Sequence, residues 1–142
     1  MAMNSREEAT YRFRLAKGYL EEAEQLFHSG LWRACAGSCQ LSVENACKAV
    51  IALFRPLVRT HELSEHLLDV LKMDSFTDEE TDQIKRLADS ARILGLKEHI
   101  LVDYGDELSY QVPWEIYKEK HARRALEIAT SAVQIAEIFI ET

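Results

Sequence analysis

Apolar residues recur at three- and four-residue steps over most of this chain, which is the period of an amphipathic helix. The pattern predicts a first helix from about Arg6 to His28, and Ser5 with Glu8 has the spacing of a capping box at its start. The apolar positions of this segment are Tyr11, Leu15, Tyr19, Ala23, Leu26 and Phe27.

The next segment, Leu31 to Phe54, is apolar or small on nearly every side, which is typical of a central helix. The small residues from Ala34 to Cys39 predict that a neighbouring helix or a second subunit approaches closely, and Gly37 is the centre of this surface. Pro56 ends the helix because it lacks a backbone donor.

Two more helices are predicted, and each begins after a polar residue that can cap it. Thr60 can cap a third helix from about His61 to Lys72, and Thr77 with Glu80 forms a second capping-box pattern. The fourth helix should continue to about Leu101.

The segment 103–112 is predicted to be irregular, and Pro113 suits the first position of a last helix that reaches Ile140. Short connections between long helices indicate neighbours that run antiparallel. The sequence therefore predicts an all-α fold, an antiparallel up-and-down bundle of about five helices, with residues 1–142 in a single domain.

Composition excludes several classes of protein. With 47% hydrophobic and 29% charged residues in 142 positions, the chain is neither disordered nor of low complexity. A net charge of -7 disfavours sequence-independent binding to nucleic acid, so any such contact must be local. No apolar run reaches the length of a membrane span, and Met1 to Arg14 is charged where a signal peptide is apolar. We expect a cytoplasmic protein.

Cys35, Cys39 and Cys47 all fall in the second predicted helix, so they cannot join distant elements by disulfides. Cys35 and Cys39 have a spacing that offers two thiolates to a metal, but no second Cys or His pair follows at zinc-site spacing. We interpret them as packing residues, and we expect neither a metal nor another cofactor.

Three segments resemble the HEPN domain family. The first is Ser42 to Ile51, where Glu44 and Lys48 precede a run of small apolar residues, and the second is Thr60 to Leu63, which begins a leucine-rich helix. The third is Tyr117 to Ala129, where alanines alternate with charged residues. The resemblance implies a helical bundle that forms a two-fold homodimer.

The resemblance also implies two kinds of activity. Many relatives pair with a small nucleotidyltransferase as toxin and antitoxin. Some are metal-independent endoribonucleases that use an Arg and a His four to six residues apart, joined by the same pair of the dimer mate, whereas others bind only nucleotide or protein.

Ribonuclease chemistry needs a base for the 2′-hydroxyl and a cation for the phosphate. Arg55 with His61 is the preferred pair because both residues lie around an interhelical loop, and Arg59 is a second cation there. The alternative is that His61 only holds two helices in register and that Arg59 is a solvated cation. Two further pairs have the permitted spacing, namely Arg59 with His66 and Arg92 with His99.

A later segment resembles the motif of active relatives with changes. Lys97 and Val102 stand where those relatives carry Arg and His, and Tyr104 is retained. Glu44 and Lys48 are four residues apart, which fits an intrahelical ion pair or a role at a pocket or interface. With Tyr104, they are our expected ligand or interface residues.

Two functions stay open at this point. The first is a homodimeric module that binds a nucleotide or a nucleotidyltransferase partner, in a toxin–antitoxin type of pair. The second is a metal-independent ribonuclease that acts on RNA through His61 with Arg55 or Arg59.

Overall fold

The computed structural model describes residues 5–57, 62–73 and 75–141, and these residues form seven helices and no strand. The fold is an all-α bundle, as the sequence predicted. The helices are α1 (Ser5–His28), α2 (Trp32–Phe54), α3 (Leu63–Met73), α4 (Asp78–Ile93), α5 (Leu96–Tyr104), α6 (Pro113–Ile116) and α7 (Glu119–Glu141).

Helix α2 is the centre of the bundle. It contacts each of the other six helices, and 14 of its 23 residues are buried. A helix that is apolar on every side can lose its contact with water only when neighbours surround it. The position predicted for this segment is therefore confirmed.

Helices α1 and α2 form an antiparallel pair. Gly30 has φ +74°, and Leu31 N–H donates to Leu26 O at 3.0 Å, the bond pattern that ends a helix with a left-handed glycine. The Ser42 hydroxyl donates to Ala16 O at 2.7 Å across the pair. The α1 residues that allow this close approach are the fully buried alanines Ala9, Ala16 and Ala23.

Helix α7 closes the bundle against α1, α2 and α4. The Arg6 guanidinium near the start of α1 donates to Ile140 O near the end of α7, so these two helices also run antiparallel. Arg86 of α4 donates to the Ser131 hydroxyl of α7 at 3.2 Å. Helix α3 lies farther out, against α4 and α2.

The prediction of one continuous fourth helix is wrong in its second half. The helix is interrupted at Leu94 and Gly95, which lie between α4 and α5. A Cβ at position 95 would lie 2.6 Å from Ala91 O, so only glycine fits against the last turn of α4. The capping box of Thr77 and Glu80 at the start of α4 is confirmed, with both hydrogen bonds present.

The predicted last helix is also two helices. Tyr117 interrupts it, because the backbone is extended at this residue. The Tyr117 side chain is buried, and its hydroxyl donates to Glu98 Oε1 at 2.8 Å. Helix α7 then begins with Lys118 N–H donating to His121 Nδ1 at 3.0 Å. Packing of one tyrosine against α5 therefore accounts for the break.

Two further predictions concern the residues that cap helix starts. Ser5 lies inside α1, so it does not precede the helix as a cap would. Thr60, the predicted cap of the third helix, lies outside the described residues.

The small-residue surface around Gly37 is used within the chain. A Cβ at Gly37 would lie 3.0 Å from Val102 Cγ1, so α5 approaches α2 at this point. Cys35, Ala36 and Cys39 are fully buried. Of the two expected uses of this surface, contact with a neighbouring helix is observed, and contact with a second subunit stays a prediction.

No helix in the described ranges is both long and apolar enough to cross a membrane.

Candidate functional site: a polar groove beside the central helix

A groove lies between α2, the start of α3 and the corner where α4 meets α5. We call it the α2 groove. It is lined by Gln40, Val43, Glu44, Lys48, Leu63, Ala91, Leu94, Gly95, Leu96 and His99.

The polar floor of the α2 groove comes from one face of α2. Gln40, Glu44 and Lys48 are spaced four residues apart, so they lie one above another on the helix. Lys48 Nζ lies 3.4 Å from Glu44 Oε2, and both side chains are about two-thirds buried. The pair expected from the sequence is thus present, and it lies at the edge of a groove.

The opposite wall is apolar and contains the corner between α4 and α5. Leu63, Leu94 and Leu96 supply side chains, whereas Gly95 supplies only backbone. The groove encloses about 90 Å³, so it can hold one end of a small ligand whose remainder lies outside it.

His99 lies where α5 passes over α2. Its Nδ1 is 3.2 Å from Gln40 Oε1, and its Nε2 is 3.5 Å from Asp103 Oδ2. The two ring nitrogens of His99 thus face Gln40 on one side and Asp103 on the other. Gln40 therefore sets the orientation of the imidazole ring at the groove.

A second depression lies on the other side of His99. Its polar residues are Glu22, Arg33, Ser38 and Asp103, with Gln40 and His99 shared between the two concavities. Arg33 donates to Val102 O at 3.4 Å, and its guanidinium carbon lies 5.4 Å from the centroid of the Trp114 ring. Arg33 Nε is buried and has no hydrogen-bond partner in the described part of the chain.

Of the preferred ribonuclease pair, only Arg55 is among the described residues, so the pair stays a prediction. Arg55 follows α2, and its guanidinium lies 3.9 Å from Asp69 of α3. His61 and Arg59 lie outside the described residues. Of the other pairs, Arg92 forms an ion pair with Asp89, one turn away from it on α4.

The later segment that resembles the active motif lies on α5. Val102 is buried against α2, whereas Tyr104 is 67% exposed at the end of the helix. Glu98 accepts the hydrogen bond from Tyr117, and burial together with this bond raises the pKa of the Tyr117 phenol. Position 102 therefore belongs to the core, and Tyr104 is available to a partner.

The three cysteines are free and buried. A hydrogen bond with Cys39 lowers the pKa of the Cys35 thiol, and the same contact together with burial raises that of Cys39. Burial raises the pKa of Cys47. In the described ranges no group of three or more His, Cys, Asp and Glu side chains is placed to hold a metal ion.

Three residues of the site were not predicted: Gln40, Arg33 and Asp103. Gln40 had a signal in the sequence, because it is a polar residue in a small apolar run and lies four residues before Glu44. Arg33 and Asp103 had none, since their position depends on how α5 packs on α2.

The helices that surround α2 define a small all-α bundle domain with a polar groove beside its central helix. The chain belongs to the HEPN domain family, whose model matches residues 9–141. The crystal structure of TT1696 from Thermus thermophilus shares the fold, with a TM-score of 0.70 and 19% identity over 96% of this chain and 99% of that one. No curated protein matches the chain.

Proposed function

We propose that this HEPN-domain protein is a homodimeric binding module that holds a nucleotide in the α2 groove and works with a nucleotidyltransferase partner. The observation that carries the proposal is the convergence of Gln40, Lys48 and His99 on an apolar wall. An amide and an imidazole can hydrogen-bond the edge of a base, and an ammonium can contact a phosphate.

The charges of the groove favour a ligand with few phosphates. Lys48 is balanced by Glu44, and Asp103 lies beside His99. Each further phosphate would meet these carboxylates in a partly desolvated site. We therefore expect nucleoside monophosphates to bind more tightly than triphosphates.

A homodimer needs an exposed apolar face, and α5 offers one. Leu96, Ile100 and Tyr104 are spaced four residues apart and are exposed at 44%, 46% and 67%. Leu96 also lines the α2 groove. A two-fold contact through this face would bring the second protomer to the edge of the nucleotide site.

The nucleotidyltransferase partner and the toxin–antitoxin setting are supported by family membership. They are tested by coexpression with a nucleotidyltransferase encoded next to this protein. A stable complex on size exclusion supports this part of the proposal, and separate elution contradicts it.

The nucleotide is tested by thermal shift with the four nucleoside monophosphates and the matching triphosphates. We expect at least one monophosphate to raise Tm, and Lys48→Gln to weaken its binding about tenfold, because one charge-assisted hydrogen bond is lost. Lys85→Gln on the exposed face of α4 is the matched control. No shift with any of the eight would contradict nucleotide binding.

The homodimer is tested by light scattering at micromolar concentration. We expect a dimer mass for the parent protein and a monomer for Ile100→Glu, since a carboxylate would be buried without a partner. Met73→Glu is the control, because Met73 is 61% exposed on α3. A monomeric parent protein would contradict the dimer and leave nucleotide binding to be judged separately.

A metal-independent ribonuclease is the second candidate, and one observation favours it. Arg33 and His99 line the same depression, so a cation and a base lie near each other there. RNA cleavage in excess chelator tests it, with cyclic phosphate ends as the product. Loss of cleavage in His61→Ala and Arg55→Ala would assign the loop, whereas loss in His99→Ala and Arg33→Gln would assign the depression.

A further inference from the structure

The segment between α5 and α6 folds into a short closed loop, Gly105 to Val112, which we call the α5–α6 loop. Asp106 and Gln111 pair through two backbone hydrogen bonds, of 2.9 Å and 3.0 Å. Leu108 N–H donates to Asp106 Oδ1 at 3.0 Å. Both ends of the loop are thereby fixed, and its tip has a defined shape.

Glycine is required where the loop begins. Gly105 has φ +73°, and a Cβ there would lie 2.1 Å from Gln111 O. Tyr110 also adopts a positive φ, of 58°, although it has a bulky side chain. Such a conformation costs free energy in a residue of this kind, and it turns the Tyr110 ring away from the bundle.

The tip presents large apolar side chains to solvent. Leu108 is 95% exposed and Tyr110 is 91% exposed, and Trp114, just beyond the loop, is 67% exposed. Scattered apolar residues at a protein surface are ordinary, but Leu108 and Tyr110, two residues apart at the tip of one braced loop, form a patch. Tyr and Trp are also the residues that most often anchor protein interfaces.

The surroundings of this patch are acidic. From Glu98 to Tyr117 the sequence has five acidic residues and no Lys or Arg. Asp106, Glu107 and Glu115 belong to the loop or flank it closely, and Glu107 and Glu115 are exposed. The loop itself therefore carries negative charge and no basic residue.

We infer that the α5–α6 loop is a docking site for another protein, one that presents apolar side chains flanked by Lys and Arg. Complementary charge around an apolar centre is the arrangement that favours specific association. The same carboxylates would repel RNA and anionic lipid, and a second copy of the loop would bring like charges together. This inference stands apart from the nucleotide in the α2 groove and from the α5 dimer.

The test measures fluorescence anisotropy of a short labelled peptide of leucine and lysine. We expect it to bind the protein at least about tenfold more tightly than a matched peptide with glutamate in place of lysine. A peptide with serine in place of leucine should also bind at least about tenfold more weakly.

Variants of the protein locate the binding. Leu108→Ser with Tyr110→Ser keeps every charge and should weaken peptide binding at least about tenfold, whereas Met73→Ser should not change it. Glu107→Gln with Glu115→Gln should weaken binding and reduce its dependence on salt. Circular dichroism of each variant checks that it is folded.

Three results would overturn the inference. The first is equal binding of the leucine–lysine peptide to the parent protein and to the Leu108 and Tyr110 double variant. The second is a change from dimer to monomer in that variant, which would make a second copy the occupant of the loop. The third is loop-dependent binding of phosphatidylserine vesicles, which would make it a membrane contact.

Discussion

At the scale of single residues, the candidate site consists of a few polar groups placed among apolar ones. Glu44 and Lys48 were predictable as a pair from their spacing, because one helix fixes both positions. The contact of His99 with Gln40 was not, since it joins residues that are 59 positions apart in the chain. Local spacing determines contacts within a helix, and only packing determines those between helices.

Tyr117→Phe tests a buried polar contact at this scale. At pH 7 we expect the free energy of unfolding to fall by about 1.5 kcal/mol, because Glu98 loses the hydroxyl that donates to it. Urea unfolding of both proteins measures the difference.

The same pair of proteins should respond differently to alkaline pH. The folded state raises the pKa of Tyr117 above its ordinary value of 10.0, so the stabilisation is complete below pH 10. Above pH 10 the unfolded chain releases a proton that the folded chain retains, and stability falls by up to about 1.4 kcal/mol per pH unit. The Phe variant lacks this loss, so the two stabilities should converge from pH 10 upward. A difference in the free energy of unfolding that stays constant above pH 10 would contradict a raised pKa of Tyr117.

At the scale of elements, helix starts were easier to predict than helix breaks. The capping box of Thr77 and Glu80 is local chemistry, and it was predicted correctly. The breaks at Gly95 and Tyr117 were missed because a single glycine is tolerated in a helix and a tyrosine is no break signal. Each break depends on a contact with another turn or helix, and the spacing of apolar residues along the chain gives no information about such contacts.

Two glycine substitutions test this distinction with opposite signs. Gly18 is exposed in α1 with nothing near its Cβ position, so Gly18→Ala should raise the free energy of unfolding by about 1 kcal/mol. Gly95→Ala should lower it by about 2 kcal/mol, because the new methyl group would meet Ala91 O. Urea unfolding measures both, and a stabilised Gly95→Ala would show that this corner can relax.

At the scale of the whole molecule, the bundle is organised in shells around α2. The central position of α2 was predictable, because a segment that is apolar on every side needs neighbours on every side. Which helices surround it was not, since that depends on tertiary contacts such as Gly37 with Val102. Helix α5 consequently packs on part of the small-residue surface that the sequence indicated as a close contact.

This organisation predicts a gradient of local stability. Amides in the middle of α2 should exchange hydrogen at rates near those of global unfolding, because opening them requires all neighbours to separate. Amides of α3 should exchange faster, since this helix of 11 residues contacts mainly α4 and α2. Hydrogen exchange followed by mass spectrometry checks the order, and equally slow exchange in α3 would refute a shell around α2.

The two backbone hydrogen bonds between Asp106 and Gln111 have a consequence for how this protein can diverge. They close the loop at its base, and the four residues between them, 107–110, are exposed. Substitutions at these four positions therefore leave the contacts of the bundle interior intact. Mutations can therefore accumulate at the tip without loss of foldability, and longer hairpins can be grafted onto the same base. The segment that selects a partner is free to evolve faster than the scaffold that carries it.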